Sequence, residues 1–192
     1  NPVAVNYANK LKLKLNLNSK FILSDIFTFD DSQKYDIVVS LGALHHTNNC
    51  SEAIKYISKF GKTNSYIFLG LYNKYGRKPF LDHFEKIKHK SEEFKFNEYK
   101  KLHNIDDETK LYSWFRDQVL HPHETQHTFE ELINIFQIIK YKILSTSINK
   151  FQDIKSFEEI ILSEKKLINY AEKKIKNSEY YPGFFITIGK KI

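Results

Sequence analysis

The sequence has no methionine and a single cysteine, Cys50, among 192 residues. One cysteine excludes an internal disulfide and points to a reducing compartment, so the cytoplasm is the expected location. No apolar run approaches the roughly 20 residues that a membrane-spanning helix needs, and a membrane role is not expected. Arginine is nearly missing too. Only Arg77 and Arg116 stand among the 30 basic residues, so the formal net charge of +7 is almost entirely lysine. Base readout and phosphate forks favour arginine, and the lysines are scattered, with no stripe interleaved with aromatics. Nucleic acid is therefore not the expected partner. The lack of methionine, with Asn1 in first place, leads to the expectation that the sequence begins downstream of the protein's own start. Neither a repeat nor a low-complexity tract is present.

What remains is a globular composition, 41% hydrophobic and 28% charged, with length enough for one domain with a real core. The chain is organised around Tyr35-Asp36-Ile37-Val38-Val39-Ser40-Leu41-Gly42-Ala43-Leu44-His45-His46-Thr47. Its β-branched run, Ile37 to Val39, predicts a strand buried on both faces. Small residues at Ser40-Leu41-Gly42 let the backbone pass close to a ligand. In an open α/β sheet, ligands bind in the crevice outside the carboxyl ends of the strands, which is where these polar groups fall.

In chain order, apolar residues at helical spacing predict a first helix up to Leu15, with Pro2 in its first turn. Residues 21–23 read as a short buried strand that delivers Asp25. Asn48, Asn49 and Ser51 are candidate caps for a helix to about Phe60, with Gly61 as its C-cap. Residues 66–72 read as a second buried strand, and residues 73–77 as the loop beyond it. The alternation of strand and helix predicts a mainly parallel sheet. Residues 78–122 are helical in spacing and too long for an ordinary strand-to-helix connection; they predict a helical layer over the crevice. Thr128-Phe129-Glu130-Glu131 and Ser156-Phe157-Glu158-Glu159 are capping boxes, the first opening a helix to Ile138 and the second one long helix to about Lys176. Tyr141 to Ser147, and the run from Phe184 after Pro182-Gly183, read as closing strands that form an antiparallel edge pair.

Asp25, the strand ending in Leu44-His45-His46-Thr47 and the following strand together resemble the second half of a class I S-adenosylmethionine-dependent methyltransferase. Leu69-Gly70-Leu71-Tyr72-Asn73-Lys74-Tyr75-Gly76-Arg77, Trp114-Phe115-Arg116-Asp117-Gln118 and His121-Pro122-His123-Glu124 are similar to a bacterial subgroup of it. The resemblance covers nearly the whole chain. It implies an α/β, Rossmann-like methyltransferase sheet, mostly parallel with an antiparallel edge pair. It also implies one domain over residues 1–192, with helical insertions at 78–127 and 152–179. The family's glycine-rich loop and second acidic position find no counterpart. The first βαβ unit is therefore expected to lie outside this sequence, and cofactor binding by these residues alone is expected to be weak or nil.

By the same resemblance, Asp25 takes the adenine amine of S-adenosylmethionine with the Ile26 backbone beside it, while Ser40, Leu41 and Gly42 line its methionine part. From the residues themselves, Asp25 reads equally as a loop cap. Methyl transfer needs alignment above all, and a base only where the acceptor carries a proton. His45 and His46 stand at the correct end of the strand for that role, or for a structural one. Tyr72, Tyr75 and Arg77, with Trp114, Asp117, Gln118, His121 and His123, are candidate walls for a small-molecule acceptor. Arg77 could grip a carboxylate or join an exposed ion pair. His121, His123, Glu124 and His127 read alternatively as metal ligands without a specific spacing, or as tethers of the helical layer. The rival functions are an inactive binding or scaffold domain and an RNA-directed methyltransferase.

Overall fold

The computed structural model describes Asn1–Ile192. The chain divides into two compact units, Asn1–Gln33 and Lys34–Ile192, which are taken in turn.

The first unit opens with α1 (Pro2–Lys14), capped by the Asn1 side chain on the Val3 and Ala4 amides, with Pro2 in the first turn as expected. Beyond it the chain is irregular, and the strand predicted at residues 21–23 does not form. A strand exists only through a ladder to a neighbour. Phe21, Ile22 and Leu23 have none, and their side chains are exposed.

The second unit is built on one four-stranded sheet in the order β1 (Tyr35–Leu41), β2 (Gly61–Tyr72), β4 (Phe184–Lys191), β3 (Tyr141–Thr146). β1 and β2 are parallel, with Val39 opposite Phe68. β4 runs against both its neighbours, placing Thr187 opposite Leu69 and Gly189 opposite Ile143. Three strands thus share one direction, and β4 with β3 forms the expected antiparallel edge pair. The expectation that β1 is buried on both faces is corrected. It is an edge strand, and Ile37, Val39 and Leu41 are 55%, 57% and 52% exposed.

The α2 helix (Cys50–Ser58) buries Ala53, Ile54 and Ile57, and Asn49 caps it by accepting from the Glu52 amide. Gly61 does not end that helix; it is the first residue of β2. A side chain there would overlap the Tyr141 hydroxyl and Ser65 Oγ. α6 (Phe129–Ile138) opens on the full Thr128/Glu131 capping box and buries Phe129, Leu132, Ile135 and Phe136.

A second apolar cluster lies under α3 (Lys74–Lys86), α4 (Glu92–Lys101) and α5 (Glu108–Gln118), and consists of Phe80, Phe84, Tyr99, Leu102, Leu111 and Phe115. The helical layer therefore carries a core of its own. Residues 74–77, expected in a loop, are the first turn of α3. Asn73 caps that turn by accepting from the Tyr75 and Gly76 amides. The long helix expected up to Lys176 is two helices, α7 (Phe157–Lys165) and α8 (Leu167–Lys176), meeting at Lys166. The break lets α7 turn Glu164 inward while α8 packs along α3.

Candidate active site

The parallel strands β1 and β2 end side by side, and their ends differ. At β1 the chain leaves the sheet through Gly42, whose φ of +78° is left-handed and costs little only for glycine. Its amide donates to the Gly70 carbonyl at 3.0 Å, and the place a Cβ would occupy faces open space. Ser40 is half-buried, and Leu41 and Gly42 are exposed. A short 3-10 turn, Leu44–His46, follows. Burying Leu44 and His45 anchors it to the core.

The end of β2 is closed. Tyr72 is buried, and its carbonyl accepts from the His127 amide at 2.8 Å. Asn73 donates its amide to Gly183 and its Nδ2 to Glu164 Oε1 at 2.5 Å, and Glu164 Oε1 also takes the Phe129 amide at 2.7 Å. Glu164 is 1% exposed, and burial pushes its carboxyl up to about 7 despite those two donors. Gly183 has a φ of +62°, and a side chain there would strike the Arg77 backbone. Only glycine lets β4 begin against α3.

Arg77 is fully buried on α3. Its Nε and one terminal nitrogen fork onto Glu124 at 3.1 and 2.8 Å, and that same nitrogen also donates to the Gln118 carbonyl. The guanidinium lies 3.9 Å from the Tyr72 ring centre and 4.3 Å from that of Phe80. Arg77 does grip a carboxylate bidentately, but an internal one. The exposed-ion-pair reading is corrected too, since the pair is buried. Gln118 is likewise committed inward, accepting from the Tyr99 and Tyr180 hydroxyls at 2.8 and 2.6 Å.

Residues 121–127 strap the helical layer to both strand ends. The Thr125 amide and hydroxyl donate to the His45 carbonyl, and Lys74 donates to that of His127. The bonds of the histidines fix their tautomers. His46 Nδ1 lies 2.9 Å from the His123 carbonyl oxygen and must donate to it, which leaves Nε2 of the neutral ring with its lone pair. His123 Nε2 donates to the Thr47 carbonyl at 3.1 Å. His121 Nδ1 accepts the His123 amide at 3.2 Å and so carries no proton.

His45 is different. It is 1% exposed, neither ring nitrogen has a partner, and the ring packs 4.2 Å from that of Tyr72. Burial first, then the cationic forms of His46 and Arg77, push it down to about 3. Its environment holds it neutral and inaccessible.

Asp117 and His121 line one open cleft of about 800 Å³ beside α5, together with Tyr112, Arg116 and Pro122. Trp114 does not join them, lining a separate hollow with His103 and Tyr180. Tyr75 is half-buried in the first turn of α3. No three His, Cys, Asp or Glu side chains are placed to hold a metal ion; Glu124 and His123, read as possible ligands, are spent on Arg77 and Thr47. In the first unit, Asp25 Oδ1 accepts from the Phe27 amide at 2.7 Å, closing a turn that begins at Ile26.

Two residues of this region were missed in the sequence. Thr125 carries no motif. Glu164 sits among charged neighbours in an amphipathic helix and reads as solvent-facing. Asn73, directly between a strand and a helix, did carry a cap signal.

No curated protein matches the chain. Among solved structures, PKMT2 from Rickettsia typhi superposes with a TM-score of 0.66 at 18% identity, over 96% of this chain and 41% of that one. PKMT2 in complex with AdoHcy gives 0.66 at 15% identity, over 98% and 42%. Magnesium protoporphyrin IX methyltransferase (ChlM) from Synechocystis PCC 6803, with bound SAH, gives 0.52 at 15% identity, over 98% and 59%. These likenesses show a shared fold, and the chain spans 41% of the length of PKMT2. A family model described as a methyltransferase domain matches residues 1–135, which takes in α1, the open end of β1 and the strapped end of β2. The open glycine exit beside a clamped strand end is thus a feature of a chain that belongs to the methyltransferase domain family.

Proposed function

We propose that the protein containing this chain is an S-adenosylmethionine-dependent methyltransferase acting on a small-molecule acceptor. The observation that carries the reading is the exit of β1 in a methyltransferase-family chain, with Gly42 left-handed and nothing within 4 Å of its Cβ position. Ser40, Leu41 and Gly42 are assigned to the cofactor's methionine part by the half-buried to exposed exit of β1, and the resemblance to the family gives the adenine to Asp25 and Ile26. When bound, S-adenosylmethionine supplies an electrophilic methyl group on a sulfonium.

The chain's own residues bind and orient the acceptor. Asp117 and His121, which line the same open cleft, are assigned to its wall together with Tyr75 and with His123 of the helical layer, residues 78–127. Tyr72 is buried and Trp114 lines a separate hollow, so neither reaches that cleft. Arg77 and Gln118 act through others, holding Tyr72 and the strap in place. Of the two candidate bases, His46 is preferred. Its Nε2 lone pair is free to take a proton from the acceptor, whereas His45 has the environment of a packing residue. The lone buried Cys50 supports a reducing, cytoplasmic setting. No helix is long and apolar enough to cross a membrane.

Calorimetric titration of S-adenosylhomocysteine into the full-length gene product tests this reading. Saturable binding that Asp25→Ala abolishes is the expected result. No binding by the full-length protein overturns it and leaves a binding or scaffold module.

A further inference from the structure

We propose that residues 121–127 are a pH-sensitive strap, held shut while His121 is neutral and loosened at the ends of β1 and β2 when His121 takes up a proton. The strap's turn depends on a bond that only a neutral imidazole can make, because His121 Nδ1 accepts the His123 amide. Protonation puts an N–H where that amide points, so donor faces donor and the turn loses its closing bond. The adjacent ring aggravates the loss. His46 lies 4.0 Å from His121 between ring centres and His45 lies 4.4 Å from His46, so a second cation at His46 is repelled at close range.

Charged and titratable groups face His121 from each element packed against it. From the 3-10 turn it meets His46 and His45, and His45 stays neutral in its buried place. From α3, the Arg77 cation is already neutralised by Glu124 of the strap. Arg116 and Asp117 of α5 line the same cleft, and so does Glu92 of α4, so one cation faces two carboxylates there. Within the strap, His123 donates to Thr47 in either charge state, and His127 faces Glu131 at 3.3 Å. The consequence of loosening the strap for the acceptor wall rests on the methyltransferase reading, but the device itself does not.

The test is amide hydrogen exchange on the full-length protein at about pH 8 and about pH 5.5, corrected for intrinsic rates. Protection at His123, Thr125 and His127 is expected to fall together on acidification, by about tenfold or more. In His121→Asn the side-chain oxygen replaces Nδ1 as acceptor of the amide two residues on and cannot titrate, so the same three amides should stay protected at both pH values. Protection in the unsubstituted protein that does not change with pH overturns the proposal, as does an acid loss that persists in His121→Asn. Neither result bears on cofactor binding, so the two readings fail separately.

Discussion

The two parallel strands that end side by side are finished in opposite ways. At β2, every polar group of Asn73 is paired, Arg77 is locked to Glu124, and the strap ties the Tyr72 carbonyl down. At β1, Leu41 and Gly42 are exposed, and nothing stands within 4 Å of the Gly42 Cβ position. On the proposed reading, clamping the first holds the histidines of the strap still, and leaving the second open gives the cofactor somewhere to lie. Precision is carried by groups that never touch the ligand.

Breaking the clamp should cost most. Arg77→Ala removes one partner of a buried pair and strands Glu124, and a loss of about 3–5 kcal/mol is expected in urea unfolding. Arg77→Lys should recover only part of it, because a single ammonium cannot reproduce the fork. Gly183→Ala comes next. It meets both the left-handed φ and the Arg77 backbone, so a loss of roughly 1–3 kcal/mol is expected by the same assay.

The buried ionisable groups sharpen the contrast through pH. Glu164 has its carboxyl raised from 4.5 to about 7, so its contribution is full below pH 4.5 and declines as pH rises towards 7, because the unfolded chain ionises first. Glu164→Gln keeps an acceptor for Asn73 and Phe129 and should flatten that decline in thermal melts. His45 is lowered from 6.5 to about 3, which works the other way. Stability present above pH 6.5 is lost as pH falls towards 3, and His45→Phe should remove this part of the acid sensitivity. The smallest stability effect is expected at the open end. Gly42→Ala has room for its methyl group and pays only the backbone cost, about 1 kcal/mol.

Much of this architecture was legible. Apolar runs located β1, β2 and β4, alternation located β3, helical spacing located most helices, and Thr128 with Glu131 marked the start of α6 to the residue. The misreadings share a cause: sequence pattern reports a preference and not its partner. Residues 21–23 have strand composition but no ladder. Ile37, Val39 and Leu41 read as buried in a strand that is at the sheet's edge. Gly61 resembled a C-cap because local sequence does not show that Tyr141 and Ser65 crowd it. At the candidate site, Arg77 was visible as a carboxylate binder, but its partner lies 47 residues away. Glu164 could not be found, since its burial is decided by Asn73 and the Phe129 amide, both remote in sequence.

The difference between the two strand ends is tested most directly by amide exchange on the full-length protein with and without saturating S-adenosylmethionine. The account predicts new protection at Leu41 on the open edge of β1, with the amides of Gly42 and of residues 73–77 unchanged because they are already bonded. Ligand-dependent change confined to residues 73–77, or none at Leu41 despite binding, would contradict it.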